Sequence, residues 1–293
     1  MKKIINYLLD FLKTMKPIYL LVLMTVMGLC VFVEDKFHIE QSYISIHDGK
    51  IVQIPLYMLF YGFPFFLAYL LYGLFYNKMD IFLSKRFWIL SFLALFIYAF
   101  RCYFHVYESL AYKYPSPQFQ LYCLYLIKQI GQGLLLFVPT FFIWFFMEKK
   151  HQQLFGFRHK GVDLKPYFLI LMLMIPIIGL AATQDSFTNF YPLVSHIPNI
   201  QSNTLLGKIQ IIVYEFFYAF DFFSNEFFFR GFLILAFARI VGKAAILPMT
   251  CWYVFIHFGK PVGETISSFF GGLILGLIAY DTRSIYGAAM VNI

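Results

Sequence analysis

Four ionisable side chains interrupt an otherwise apolar, phenylalanine-rich stretch: Glu215, Asp221, Glu226 and Arg230. Its centre reads Ser224-Asn225-Glu226-Phe227-Phe228-Phe229-Arg230-Gly231. On a helix, the four-residue spacing puts Glu226 and Arg230 on one face, about 6 Å apart at Cβ. Such a pair can lock a bundle as an internal ion pair. It can also keep a carboxylate oriented to draw a proton from water. Tyr253 and His257, again four apart, follow, with Lys260 and Glu264 just beyond. His257 can share the proton of a water or hold a metal. Asn292 is a neutral amide donor of the kind that suits an oxyanion. Peptide hydrolysis needs these three things: an activated water, a group that protonates the leaving amine, and donors for the developing oxyanion.

Each residue has a plainer reading. His257 can be an interfacial residue at the end of a span, and Asn292 a polar helix end. Glu264 follows a Pro-Gly loop and either caps its helix or lines a cavity. Asp221 and Glu215 are proton-relay or packing residues, and Lys260 is an interfacial anchor. A metal site wants three or four ligands. Glu226 and His257 are the two obvious donors, so a divalent metal such as zinc is a candidate cofactor resting on that pair alone.

The elements that carry these residues must be buried. Each charge at mid-membrane costs roughly 2.5–3.5 kcal/mol, so four cost about 10–14 kcal/mol. The phenylalanines between Phe216 and Phe232 return only about 3–5 kcal/mol on the same scale. The polar stripe therefore faces other helices or a water-filled cavity, where an intramembrane charge is a functional candidate.

The whole chain fits that environment. Of its 293 residues 61% are hydrophobic, 22% aromatic and only 13% charged. A soluble domain carries about 25% charged residues. The reading is an all-α, polytopic transmembrane helix bundle of about eight or nine spans. Its net charge of +8 sits in short loops between apolar runs. There Lys and Arg set topology and meet anionic lipid, so the partner is the bilayer and not nucleic acid. Cys30, Cys102, Cys123 and Cys251 lie in or beside apolar runs without metal-site spacing and read as small buried hydrophobes.

Spans are expected at about 17–33, 51–76, 87–106 and 131–147, then 166–182, 205–241, 244–258 and 264–280, with a last helix from about 284. The stretch 205–241 is too long for one span, so a kink or two abutting helices are expected near Ser224-Asn225. The N-terminus reads as a short amphipathic helix on the inner surface. The basic loop from Glu148 to Lys165 is the strongest inside signal. The N-terminus is thus expected on the cytoplasmic side of a membrane, taken as a bacterial inner membrane. Residues 1–165 form a plain scaffold of four spans with few charges, Arg101 and His105 lying near the end of the third, and from 166 onward polar residues appear inside apolar runs.

The order and spacing of the polar motifs in that second part resemble a known family. Glu226-Phe-Phe-Phe-Arg230-Gly231-Phe232, Tyr253-x-x-x-His257 followed by Phe258-Gly259-Lys260-Pro261, and Ser267-Ser268-Phe-Phe-Gly271-Gly272-Leu-Ile-Leu-Gly276, then Thr282-Arg283-Ser284-Ile285-Tyr286-Gly287, are similar to the CPBP family. These are the CAAX-protease and bacteriocin-processing intramembrane proteases, also called the ABI family and related to type II CAAX prenyl proteases. The resemblance covers about 216–293. It implies an endopeptidase of metalloprotease type, acting on a peptide or membrane-anchored substrate. Glu226 and His257 would activate water, Arg230 would orient Glu226, and Asn292 would donate to the oxyanion. Asn225, Tyr253, Glu264 and Asp221 are supporting candidates. Two positions depart from the family pattern: Asn225 stands where the first Glu is usual, and Asn292 where a second His is expected. The position four beyond Asn292 lies past Ile293. A non-catalytic relative, acting as a membrane binding or bacteriocin-immunity-type protein, is the alternative implied by those departures; a transporter is a third reading.

Overall fold

The computed structural model describes residues 2–113, 116–157, 165–198 and 200–292. They are mostly helical, with turns and loops between the helices and no strand among them. Helix α1 (Lys2–Thr14) precedes α2 (Pro17–Phe37), α3 (Gln53–Tyr76), α4 (Lys85–Tyr103), α5 (Val106–Lys113) and α6 (Gln120–Ile143). The second half holds α7 (Lys165–Ala181), α8 (Asp185–Thr188), α9 (Leu205–Glu226), α10 (Ala238–Val241), α11 (Ile246–Phe255), α12 (Val262–Thr282) and α13 (Tyr286–Asn292). A π-helical stretch, Phe227–Ala236, joins α9 to α10.

Among the described residues six helical runs are long and apolar enough to cross a membrane: Pro17–Phe37, Gln53–Tyr76, Lys85–Lys113, Gln120–Glu148, Leu205–Phe255 and Val262–Thr282. Tyr167–Ala181 is a shorter apolar helix. The chain is an integral membrane helix bundle. The run Leu205–Phe255 contains a reversal. Gly242 there has φ +59°, a conformation glycine adopts freely, and Tyr253 lies back against Arg230. After Glu226, two residues beyond Ser224-Asn225, the backbone changes from α to π geometry and stays helical.

Local signals explain the helix ends. Pro17 opens α2 at a position where its missing N–H is no loss. The side chains of Ser84 and Thr204 cap α4 and α9, accepting from Phe87 N and Gly207 N. His38, Asn77 and Arg283 close α2, α3 and α12 in the left-handed region. One continuous apolar cluster runs from Phe11 to Ile285, so the N-terminal helices and the motif helices share a core. Its centre is aromatic: Trp252 meets Tyr61, Phe65, Tyr98, Phe228 and Phe229 at ring-centroid distances of 5.5–5.9 Å.

Polar contacts gather at the two ends of the bundle. At the end nearest α1, the fully buried Glu148 is shared by Arg86, Arg239 and Gln152. Lys243 pairs there with Asp281 at 3.3 Å. At the opposite end His105 pairs with Asp48, and Tyr191 with Glu264. Glu40 lies at this opposite end, between α2 and α3. Its backbone N–H donates to the buried Glu34 carboxylate.

The π stretch is wedged against the short turn Leu154–Gly156. Phe155 is fully buried, has φ +20°, and packs its ring on Phe227 and Phe232. A Cβ on Gly231 would sit 2.7 Å from the Phe155 carbonyl oxygen, so the two backbones touch only because residue 231 is glycine. Gly231→Ala is therefore expected to destabilise the fold by about 1–3 kcal/mol. A lowered midpoint of thermal unfolding in detergent would show it, and an unchanged midpoint would refute the contact.

Burial, and after it the Glu34 carboxylate, pushes the Glu40 carboxyl up to about 7, against the pull of the Tyr57 hydroxyl. The folded chain thus binds this proton more tightly than the unfolded one. Stability from this group is complete below the ordinary carboxylate range and declines as pH rises through about 7. Glu40→Gln is expected to raise the unfolding midpoint at pH 8 and leave it nearly unchanged at pH 5.

Candidate active site

Glu226 ends α9, and Arg230 sits one turn on in the π stretch. Arg230 Nη1 is 2.8 Å from Glu226 Oε1, and both side chains are almost completely buried. The predicted i,i+4 contact is therefore made, across the change in helix type. The Arg230 guanidinium lies over the Tyr253 ring, 3.9 Å from its centroid. Tyr253 in turn meets the His257 ring at 4.6 Å. Contacts thus run from Glu226 to Arg230, from Arg230 to Tyr253 and from Tyr253 to His257. A buried cation needs such a set of partners: the carboxylate supplies charge, and the desolvated ring face adds about 2 kcal/mol.

Helix α11 ends at Phe255, three residues before the expected end of its span, and His257 falls in the following turn. The turn fixes the imidazole. His257 Nδ1 is 2.7 Å from the Tyr253 carbonyl oxygen. A carbonyl can only accept, so Nδ1 carries the proton and Nε2 is left as an acceptor. Burial, with Lys260 adding to it, pushes the imidazole down to about 3, so the ring is neutral around pH 7. Thr265 Oγ1 donates to the His257 carbonyl oxygen at 2.8 Å, tying the turn to α12.

The supporting candidates are split by the fold. Tyr253 is central, between Arg230 and His257. Asp221 is claimed by the scaffold: both its carboxylate oxygens accept from Arg101 Nη2, at 2.8 and 2.9 Å. Asn225 donates back to Asp221. Glu264 accepts from Lys260 at 2.7 Å and from Tyr191 at 3.0 Å, so it ties the 183–204 segment to α12. Asn292 ends α13, and its side chain lies outside the described residues. Arg101 was not singled out by sequence reasoning as a partner of Asp221. Its position in an apolar span was the one available signal.

Among the described residues no three His, Cys, Asp or Glu side chains gather as a metal would need. Glu226 and His257 supply two donors, and Glu226 already answers Arg230. Two donors are fewer than the three or four protein ligands of a zinc site.

An apolar groove of about 360 Å³ lies between α2 and the α11–α12 hairpin, lined by Met24, Met27, Val31, Val254, Thr265 and Phe269. Val254 adjoins Tyr253, and Thr265 holds the His257 carbonyl. The groove therefore runs past the backbone that carries the site.

Residues 207–292, which contain this whole set of contacts, match the family described as type II CAAX prenyl endopeptidase Rce1-like. The match covers the part of the chain that carries Glu226, Arg230, Tyr253 and His257 and leaves residues 1–206 outside it. Neither a curated protein nor a solved structure matches the chain.

Arg230→Met removes the cation that faces the buried Glu226 carboxylate, and is expected to cost about 3–5 kcal/mol. Glu226→Leu/Arg230→Met removes both charges and is expected to recover most of that loss. Thermal unfolding of the three proteins in one detergent decides it; equal stability of the single variant and the native chain would remove the pair from the account.

Proposed function

We propose that the chain is an endopeptidase that cleaves a peptide or membrane-anchored substrate with water activated by Glu226 and His257. The observation that carries this reading is the buried run of contacts Glu226–Arg230–Tyr253–His257 inside the segment that matches the family. His257 offers Nε2 as proton acceptor, because Nδ1 is committed to the Tyr253 carbonyl. Arg230 holds the Glu226 carboxylate in place. The water gives a proton to this base pair as its oxygen attacks the peptide carbonyl, and the proton then passes to the leaving amine nitrogen. Asn292 is the amide donor to the oxyanion in this scheme. An apolar anchor on the substrate suits the groove beside Val254 and Thr265. The basic end of the bundle, with α1, faces the cytoplasm of a bacterial inner membrane.

The test is cleavage of quenched fluorescent peptides, prenylated and unprenylated, by the purified chain in lipid nanodiscs. Glu226→Gln and His257→Gln are each expected to lower kcat/KM at least about 100-fold, with the bundle still folded by circular dichroism. Cleavage that survives both substitutions would overturn the assignment of these residues.

A further inference from the structure

The contact run from Glu226 to His257 is walled on one side and reaches the surface on the other. No polar side chain stands between Arg230 and Arg239 in the sequence. Phe232, Leu233, Ile234, Leu235, Ala236 and Phe237 are each at most 2% exposed. Ala245, Ile246, Leu247 and Met249 are as deeply buried. A Cβ on Gly276 would meet Met249, Ile234 and Ile246 at 2.9–3.2 Å, so α12 closes tightly against both segments. Such a layer offers a peptide or a water nothing to hydrogen-bond.

In the other direction the contacts turn polar. Tyr253 leads to His257, in the turn beyond α11, and the Lys260 N–H donates to the His257 carbonyl oxygen. The Lys260 and Glu264 side chains that follow are each 23% exposed. The apolar groove opens at the same end: Val31 and Asp35 line it from the last turns of α2, and Val262 from the first turn of α12.

The two ends also differ in charge. The walled end carries Arg86, Arg239, Lys243 and Arg283, with Lys149 and the Lys13 of α1 beside them. At the open end, residues 34–50 hold four carboxylates and two lysines. Lys and Arg collect on the cytoplasmic side of a membrane protein, so the walled end is the cytoplasmic one. We infer that the site opens on the extracytoplasmic face, and that its substrate is a peptide, or the segment beside the anchor of a membrane-attached protein, that has already crossed the membrane. What enters the site rests on the protease reading; the face on which it opens does not. An export step must supply such a substrate, and the cleaved bond lies toward the outer surface.

Two experiments on the full chain test this. The first is labelling by a membrane-impermeant maleimide in spheroplasts of a bacterial host, with Cys30, Cys102, Cys123 and Cys251 replaced by alanine. Lys260→Cys is expected to react in intact spheroplasts, and Lys149→Cys only once the membrane is permeabilised. Lys50→Cys, exposed at the same end as Lys260, reports that face if the first variant does not fold. The reverse pattern would put the site on the cytoplasmic face and sink the inference. The second experiment adds the quenched peptides, made impermeant by a sulfonate group, to sealed vesicles that hold the native chain. Cleavage is expected with right-side-out vesicles and is expected to be lost with inverted ones. Cleavage by inverted vesicles alone would refute an extracytoplasmic opening. If vesicles opened with detergent also cleave nothing, the protease reading fails, and the labelling still decides the face.

Discussion

Arg230 is fully buried in a layer of aromatic rings, and its charge must be answered within contact distance. Removing an ion from water costs several kcal/mol even after relaxation. Glu226 repays this with charge and Tyr253 with its ring face. Both partners are fixed by other needs. Glu226 must end α9 where the helix widens, and Tyr253 must lie on α11 after the chain has reversed at Gly242. The π stretch, the reversal and the close packing of Gly231 on Phe155 all bear on one requirement, that two helical segments meet at the guanidinium.

The scaffold contributes through two further buried carboxylates. Asp221 is held by Arg101 of α4, and Glu148 by Arg86 of α4 and Arg239 of α10. The two pairs bind opposite ends of the motif helices to the same scaffold helix. In lipid the apolar surface of a helix gives little reason to choose one neighbour over another. Charge pairs give that reason, since a mismatched packing would leave a carboxylate unpaired. The aromatic core around Trp252 fills the space between these two fixed points.

How much of this was legible in the sequence follows from distance along the chain. Glu226 with Arg230, and Tyr253 with His257, are one helical turn apart, so their spacing announced a shared face. The membrane class and most helix limits followed from apolar length. Arg101 with Asp221 lie 120 residues apart, and no local rule pairs them. The same holds for Glu148, whose partners come from two other helices, and for Gly231, whose reason is a backbone in a distant turn. The span count of eight or nine stands beside six long runs and one shorter helix, because length and composition do not register the reversal inside Leu205–Phe255. Helix length and polar residues pointed to a break near Ser224-Asn225; they do not distinguish a break from the change to π geometry seen after Glu226.

The contact run is also neutral as a whole. Glu226 and Arg230 cancel, Tyr253 contributes a quadrupole and no charge, and His257 is neutral with its Nδ1 proton held by a carbonyl. A second carboxylate in place of Tyr253 would bind Arg230 more strongly, yet would leave a net negative charge out of water. The aromatic ring avoids that cost and transmits position, since it touches Arg230 on one side and His257 on the other. When His257 accepts a proton in the proposed reaction, the site gains one positive charge beside a guanidinium. That charge is tolerable only briefly, which favours passing the proton on to the leaving amine over storing it. Neutrality at rest and instability once protonated both follow from burying this set of residues in a low-dielectric core.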